Sequence, residues 1–527
     1  LPIWVSRLDR KLVFVLLLGS AIAGPALALG AVHAPVLGAL LVVAAGLLVF
    51  LALDREAVAR PRLDAPALLL LGMTAFTALQ LVPLPPAVVE ILSPAAHEVR
   101  SRALAPLELE SLSWMPLTLD APLTIVELGK LLAYTAIYLA VAAWTRRQGS
   151  RAVTAILVAT GAAAAFVLLA HKILLADAIY GFYEPLHLGH RGERITAPLV
   201  NENHMAALLG LSTAIAIGRA LSARSRSARA LLVGLAAVIG GGLLLTISRG
   251  GIAAFVAGQL VFILLRLVRR IVDRRGEASE THLIWLPLGL VLSLGLGLLA
   301  AQDAIVEDYA GGGYDKIRML EEGLPLIGRF PLFGVGRGAF WVGFPLVSDW
   351  AARTTFTHAE NAAIQLLADY GAVVGTLVLA GFAAIVGRRL VRVPRRTMHA
   401  AAVAGLVAFG LHNLVDFNME IAGVAVVAVA ALGTLAGGPV PAGRGRTSTT
   451  PPRRRLPRAA IAGGAAACLV AAGAVTLWAG PHHVDAEERR LARALEREER
   501  APFAPQALAE LLERHPASWY IPFAAGV

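Results

Sequence analysis

Long apolar stretches alternate with short polar connections along most of the chain. A hydrocarbon core of ~30 Å is crossed by ~20 mostly apolar residues in a helix. Thirteen stretches approach that length: 12–32, 35–53, 65–83, 123–144, 152–173, 203–219, 230–248, 250–268, 282–300, 371–388, 398–415, 419–437 and 459–480. The pattern predicts an all-α polytopic membrane bundle with about 13 transmembrane helices.

The first stretch has an alternative interpretation. A basic start and the triplet Ala26-Leu27-Ala28 are typical of a cleaved signal peptide. Its length and the apolar stretches behind it favour a retained helix. Cleavage would leave the later topology unchanged.

Positive charge indicates the orientation. With the N-terminus inside, alternate connections carry 29 of the 47 lysines and arginines, and basic short loops stay in the cytoplasm. This predicts a multi-pass protein of the bacterial inner membrane. Its longest outer segments, 84–122, 174–202 and 301–370, would then face the periplasm.

Composition agrees with this class. The chain is 57% hydrophobic and 16% charged, whereas soluble proteins carry about a quarter charged residues. The net charge of +11 comes from short clusters between apolar stretches, which argues against nucleic acid as a partner. A single cysteine, Cys468, excludes a disulfide framework and any cysteine-based metal site.

The same pattern divides the chain into five parts. Residues 1–122 hold the first helices and the first periplasmic loop, and 123–437 hold a membrane core with the loop 301–370. A basic cytoplasmic linker, 438–458, precedes the last transmembrane helix, 459–480. The tail 481–527 has two amphipathic helical patterns, too few to establish a repeat.

The outer connections hold the first candidate residues. Arg191 and Arg194 precede Asn201-Glu202-Asn203-His204, where Asn201 or Asn203 is a plausible helix N-cap. Ser248-Arg249-Gly250 forms a whole outer turn, so Arg249 lies at the bilayer edge. Such arginines either contact lipid headgroups or face a cavity.

The third outer segment, 301–370, holds the remaining candidate residues. Lys316 and Arg318 come first, followed by Pro331-Leu332-Phe333-Gly334-Val335-Gly336-Arg337-Gly338. That glycine run follows no strand of a βαβ unit, so it favours a turn over a nucleotide loop. His358, Glu360 and Asn361 then precede the next helix, where a histidine is either a polar surface residue or a functional one.

The convergence of these residue types at one membrane face suggests their chemistry. Arginine donates two parallel hydrogen bonds to phosphate oxygens and stays charged. Histidine, with an ordinary pKa near ~6.5, accepts a proton at neutral pH. Pyrophosphate leaves readily when cations balance its charge, and no metal-binding motif occurs in the sequence. No cofactor is therefore expected.

At these positions the sequence resembles the O-antigen ligase and polymerase superfamily. Three loose blocks carry the resemblance over roughly residues 120–437: Arg194 to Asn203, Ser248 to Gly250, and Pro331 to Gly371. Together, and in family order, they are fairly specific.

The resemblance implies a GT-C-like membrane glycosyltransferase. Such an enzyme transfers a glycan from undecaprenyl pyrophosphate to a hydroxyl acceptor on the periplasmic face, without metal. Arg194 and Arg249 would hold the pyrophosphate, supported by Arg191, Lys316 and Arg318. Asn201, Asn203 and Asn361 would cap or position helices.

The catalytic position is less regular. Many members place a histidine directly before the conserved asparagine, but here Glu360 stands there and His358 lies two residues earlier. His358 is favoured as the group that orients or deprotonates the acceptor, with Glu360 as the alternative.

Lys130 lies inside a predicted span and either has a function or simply pairs with Glu127.

The sequence does not identify the acceptor. Lipid A core, another glycan or a protein hydroxyl would make the enzyme a ligase, a polymerase or a protein O-glycosyltransferase, and ligase is the first choice. The rival class is a flippase of lipid-linked glycans, which usually shows internal repeats and mid-membrane polar helices; neither is seen. A non-catalytic export scaffold is the third hypothesis.

Overall fold

The structure is a computed structural model of the chain. It describes residues 7–54, 58–107, 114–184, 196–273, 318–319, 321–348, 356–436 and 455–526. The predicted stretch 282–300 and most of loop 301–370 before Arg318 lie outside these residues.

Helices account for most of the described chain. The first half holds α1 (Arg7–Leu27), α2 (Ala34–Leu53), α3 (Ala65–Gln80), α4 (Pro86–Leu92), α5 (Pro94–Leu104), α6 (Ala121–Gln148), α7 (Arg151–Leu174), α8 (Glu202–Leu221), α9 (Arg226–Leu245) and α10 (Arg249–Asp273). The second half holds α11 (Ala362–Val391), α12 (Thr397–His412), α13 (Ala422–Thr434), α14 (Arg458–Gly473), α15 (Val484–Glu496), α16 (Pro505–Arg514) and α17 (Tyr520–Ala525).

Nine segments within the described ranges are helical, long and apolar enough to cross a membrane. Three shorter apolar helices, α3, α12 and α13, correspond to three more of the predicted stretches. Twelve of the thirteen predicted stretches are therefore helical, and the thirteenth is the one outside the described residues. The prediction of an all-helical, polytopic membrane protein is confirmed.

Side-chain contacts define two ends of the bundle. At one end, Gln80 at the end of α3 hydrogen-bonds the backbone near Arg337, and Asn361 at the start of α11 reaches Leu414 after α12. We call this the site end. At the other end, Arg146 of α6 contacts Asp64 before α3 at 2.6 Å. We call that the arginine end, because the arginine-rich connections lie there.

Helix caps mark both ends. Asp120 accepts a hydrogen bond from the Leu123 amide at 2.9 Å and begins α6 at the site end. Asp64 does the same for α3 at the arginine end. Because each cap satisfies an otherwise unpaired amide, these aspartates fix the positions at which the two helices begin.

An extramembrane layer covers the site end. One apolar cluster joins Val89, Leu117, Phe330, Phe340 and Val484, so the tail shares a core with two of the three segments predicted to face the periplasm. A smaller cluster packs α15, α16 and α17 of the tail onto α5. The tail therefore folds back onto the first outer segment.

A buried histidine fastens the tail. His515 Nδ1 lies 2.6 Å from Asp120 and its Nε2 lies 3.0 Å from Glu487, with all three side chains buried. The two carboxylates outweigh burial and raise the pKa of His515 to about 10. Because Asp120 also caps α6, the tail is connected directly to the helix that carries Glu127 and Lys130.

Candidate functional site

The outer turn Ser248–Gly250 lies against the start of α8. Ser248 Oγ donates to Asn203 Oδ1 at 2.6 Å, and Asn201 Oδ1 accepts from the Asn203 amide at 2.7 Å. Asn201 is thus the N-cap of α8, while Asn203 holds the serine of the turn. Arg249 follows directly as the first residue of α10 and is partly exposed. The first two sequence blocks therefore meet at the site end.

The third block approaches from α11. Asn361 caps this helix, since its Oδ1 accepts from the amides of Ala363 at 2.9 Å and Ile364 at 3.1 Å. Glu360 immediately before it has a left-handed backbone conformation, with φ of 48°. His358 is partly buried, and its Nδ1 lies 3.0 Å from Thr357 Oγ1.

A segment outside the predicted site joins the three blocks. We call residues 412–420 the connecting turn. The Ala362 amide donates to Asn413 O at 2.8 Å, and Asn361 Nδ2 donates to Leu414 O at 2.6 Å. His412 lies so close to Gly251 that an added Cβ there would be 3.1 Å from its ring. The turn therefore touches both the α10 start and the α11 start.

Phe417 of the connecting turn lies between two histidines. The His358 ring stacks on Phe417 with centroids 4.6 Å apart and an interplanar angle of 5°. His204 of α8 meets the same phenyl ring edge-on at 4.7 Å. His204 Nδ1 also lies 2.9 Å from Asn418 Oδ1 and 3.5 Å from Asp416 Oδ1. The turn therefore fixes the His358 ring plane relative to α8.

A buried ionic network lies at the end of the same turn. Arg337 is 4% exposed, and its guanidinium contacts Asp369 at 2.6 Å, Glu420 at 2.5 Å and Glu127 at 3.0 Å. Lys130 pairs with Glu127 and donates to Glu420 O at 2.8 Å. Four separate chain segments therefore contribute one shared set of charges.

The glycine run positions Arg337. Gly336 and Gly338 have φ of 103° and 85°, values that favour glycine. A Cβ at Gly336 would lie 2.0 Å from Thr118 Oγ1, and one at Gly338 would lie 2.8 Å from Glu127 Cγ. The run is a tight turn, as the sequence favoured. Because Gly336 and Gly338 have no side chains, Arg337 can lie against α6.

Burial decides how these charges behave. Burial by itself would lower the pKa of Arg337, but Glu420, Glu127 and Asp369 raise it well above its ordinary value. Burial raises the pKa of the Glu420 carboxyl, and the neighbouring Arg337 offsets part of that effect. The guanidinium therefore stays charged, whereas Glu420 is a carboxyl that gains a proton more readily than usual.

His358, in contrast to Glu420, loses its proton more readily than usual. Desolvation lowers its pKa to about 3, and the Lys130 ammonium and Arg337 guanidinium add to the effect. The imidazole is therefore neutral at physiological pH and has a lone pair available as a hydrogen-bond acceptor. An anion bound nearby would raise this pKa, because it would stabilise the imidazolium.

The structure brings together some of the predicted residues. Asn201, Asn203, Arg249, His358, Glu360 and Asn361 all lie at the site end, around or next to the connecting turn. Arg318 is paired with Glu322 one helical turn away. Arg191, Arg194 and Lys316 lie outside the described residues, so their roles stay predictions.

Sequence reasoning overlooked the ionic network and the connecting turn. In the sequence, Arg337 stands out only as part of a glycine turn. Residues 412–415 and 419–420 fall within the predicted stretches 398–415 and 419–437, whereas in the structure the flanking helices end at His412 and restart at Ala422. A signal was present, because the polar run 412–420 separates two apolar helices that need a much shorter link. Lys130 does pair with Glu127, but the pair is also part of the network.

The fold and this polar end define the class: a multi-pass helical membrane protein with buried charges at one face. Residues 232–380 match the family model described as Wzy_C, O-antigen ligase. This segment is thus similar to the O-antigen ligase and polymerase superfamily, whose members are glycosyltransferase-like enzymes. No curated protein and no solved structure matches it.

The matched segment contains Arg249, Arg337, His358, Glu360 and Asn361. The Asn201–His204 run and Glu420 lie outside it. The family match therefore covers two of the three sequence blocks, and contacts within the fold connect them to the remaining residues.

Proposed function

We propose that the protein transfers a glycan from undecaprenyl pyrophosphate to a hydroxyl acceptor at the periplasmic face of the bacterial inner membrane. The first choice of activity is O-antigen ligase. The observation that carries the proposal is the His358 imidazole, stacked on Phe417 near the buried Arg337 and the partly buried Lys130, at the same end as Arg249.

Donor binding would use cations from separate segments. Arg249 at the start of α10 and Arg318 are the candidates for the pyrophosphate among the described residues, and Arg191, Arg194 and Lys316 are the others. Four of these five are arginines, whose fork matches phosphate oxygens. The start of α10 adds favourable backbone dipoles for an anion.

The transfer step needs a proton acceptor near the hydroxyl. The acceptor oxygen forms a bond to the anomeric carbon while the bond from that carbon to the diphosphate oxygen breaks. The hydroxyl proton goes to His358, and undecaprenyl pyrophosphate leaves with its charge balanced by arginine. The donor's negative charge would raise the pKa of His358 from its low resting value, so the base gains strength when the donor is bound.

Arg337 has a different role in this proposal. Its guanidinium is already occupied by three carboxylates, so it is a positioning residue that holds α6, α11 and the connecting turn together. Glu360 is the alternative base. It directly precedes the Asn361 cap and has a left-handed backbone conformation.

The test is a transfer assay with purified protein, lipid-linked oligosaccharide and EDTA. We expect transfer to survive chelation and to fall at least ~10²-fold in His358→Ala, the usual effect of losing a general base. Arg249→Ala should raise the KM for the donor more than that for the acceptor. His399→Ala, at the start of α12 at the arginine end, is the matched control and should retain wild-type activity.

Wild-type transfer in both His358→Ala and Glu360→Ala would contradict the catalytic assignment. Parallel reactions offering lipid A core, free glycan or a serine-containing peptide identify the acceptor. Translocation of the lipid-linked glycan across a vesicle bilayer, without transfer to any acceptor, would favour the flippase.

A further inference from the structure

A second charged feature lies at the arginine end, away from the proposed site. A cavity of about 320 Å³ opens where α2, α3, α6 and α14 meet. Its polar lining consists of Asp54, Arg60, Arg62, Arg147, Arg455 and Arg458. Among the described residues that line it, five are arginines and one is a carboxylate.

Backbone pairing builds this cavity. Residues 61–62 before α3 meet residues 455–456 before α14, with the Leu456 amide donating to Pro61 O at 3.1 Å and an antiparallel bridge between Arg62 and Arg455. Two segments almost 400 positions apart in sequence thus place two arginines opposite each other. Like charges in that arrangement repel one another.

In the described lining of the cavity, arginines outnumber carboxylates by five to one. Asp54 already lies 3.9 Å from Arg10 on α1, and Asp64 is engaged by Arg146 and Tyr138. Arg60, Arg62, Arg455 and Arg458 are exposed to solvent at the cavity. A bound anion would relieve the repulsion and accept several charge-assisted hydrogen bonds.

We propose that this cavity binds a phosphate ester, with the phosphate of an anionic membrane lipid as the favoured source. Arginine forks match phosphate oxygens, and basic pockets between membrane helices on the cytoplasmic side are suited to lipid headgroups. The apolar lining supports the lipid source: Leu51, Leu456 and Ile461 face the same cavity, next to the helix ends. A soluble phosphate ester would share the arginine chemistry but gain nothing from these side chains.

Binding is measured on the full-length protein in detergent, by native mass spectrometry and by thermal unfolding. The probes are phosphatidylglycerol, zwitterionic phosphatidylcholine and inorganic phosphate. The cavity variant is Arg62→Gln combined with Arg455→Gln. The control is Arg224→Gln combined with Arg226→Gln, which removes the same charge from an exposed position at the same end, outside the cavity.

We expect wild-type protein to retain phosphatidylglycerol over phosphatidylcholine, and the cavity variant to lose at least about tenfold in retention while the control keeps it. Stabilisation by inorganic phosphate that the cavity variant loses, without a preference among lipids, would support the phosphate site and assign a soluble source. Equal retention in both variants, or equal loss in both, would overturn the proposal. Glycan transfer by the cavity variant is a separate measurement, so this result is independent of the proposed activity.

Discussion

The two ends of the bundle use arginine in opposite ways. At the site end Arg337 is 4% exposed and surrounded by Glu127, Asp369 and Glu420, each at most 5% exposed. At the arginine end Arg60, Arg62 and Arg455 are exposed and line one cavity. Buried carboxylates surround Arg337 at the site end, whereas the cavity arginines at the other end are exposed to water.

Desolvation explains the difference. Moving an ion out of water costs several kcal/mol, so a buried guanidinium persists only with close counter-ions. An arginine at the membrane surface keeps its water and interacts with lipid phosphates instead. The site end therefore requires a defined geometry, while we expect the exposed cavity arginines to tolerate single substitutions.

The largest expected effect tests this difference directly. Arg337→Ala should lower the free energy of unfolding by roughly 3–5 kcal/mol, because it leaves three carboxylates buried without their shared cation. Thermal unfolding in detergent measures this, with Arg60→Ala at the arginine end as the control, expected within about 0.5 kcal/mol. Equal losses in the two variants would remove the distinction between the ends.

The tail gives the next largest effect. His515→Ala leaves Asp120 and Glu487 without their shared partner and should release residues 484–514, seen as faster amide hydrogen exchange. Because the folded-state pKa of about 10 lies above the ordinary ~6.5, the stabilisation by His515 is complete below pH ~6.5. It is lost as the pH rises through about 10.

The matched control for the tail is His482→Ala. His482 contacts the same Glu487 at 2.7 Å but is 31% exposed, so its removal should increase exchange less. Exchange rates are divided into the intrinsic rate at each pH, because amide exchange is base-catalysed. Unchanged protection of the tail between pH 7 and pH 11 in wild-type protein would show that protonated His515 does not hold the tail.

A smaller effect compares caps at the two ends. Asn361→Ala should cost about 1–2 kcal/mol, because it removes an N-cap that also binds Leu414 O. Ser225→Ala at the start of α9 removes an exposed cap and should cost about 0.5 kcal/mol. Unfolding midpoints of the two variants decide the order, and the reverse order would contradict a special role for Asn361.

The smallest effect is expected for a surface arginine. Arg226→Ala should change the free energy of unfolding by less than about 0.5 kcal/mol and leave glycan transfer unchanged. A transfer assay beside a melting curve checks both. A large loss of either would mean that the arginine end contributes to folding or transfer beyond its cavity.

The fold was largely predictable because its signal is local. Each membrane helix satisfies its own backbone hydrogen bonds, so an apolar stretch such as 35–53 indicates a helix without knowledge of its neighbours. The start of the helix predicted at 371–388 was less predictable. Helix α11 begins at Ala362 and bends at Gly371, where φ is 79°. Glycine fits this position because an added Cβ would lie 2.6 Å from Pro331 O.

The candidate site was only partly predictable, since its contacts join distant segments. Asn361 was recognisable as a helix start, and His358 as a polar residue beside it. Phe417 gave no sign that it separates His358 from His204, because an isolated phenylalanine between apolar helices is ordinary. Asp369 and Glu420 were likewise unremarkable until Arg337 was seen between them.

The sequence by itself determined that this chain crosses a membrane many times, which connections are basic, and which polar residues precede helices. Those properties follow from transfer free energies and capping that act within about 20 residues. Only the tertiary structure decided that Arg337 meets three carboxylates and that Arg62 faces Arg455. Burial and Coulomb interactions depend on which segments pack together, and that packing brings together residues tens to hundreds of positions apart.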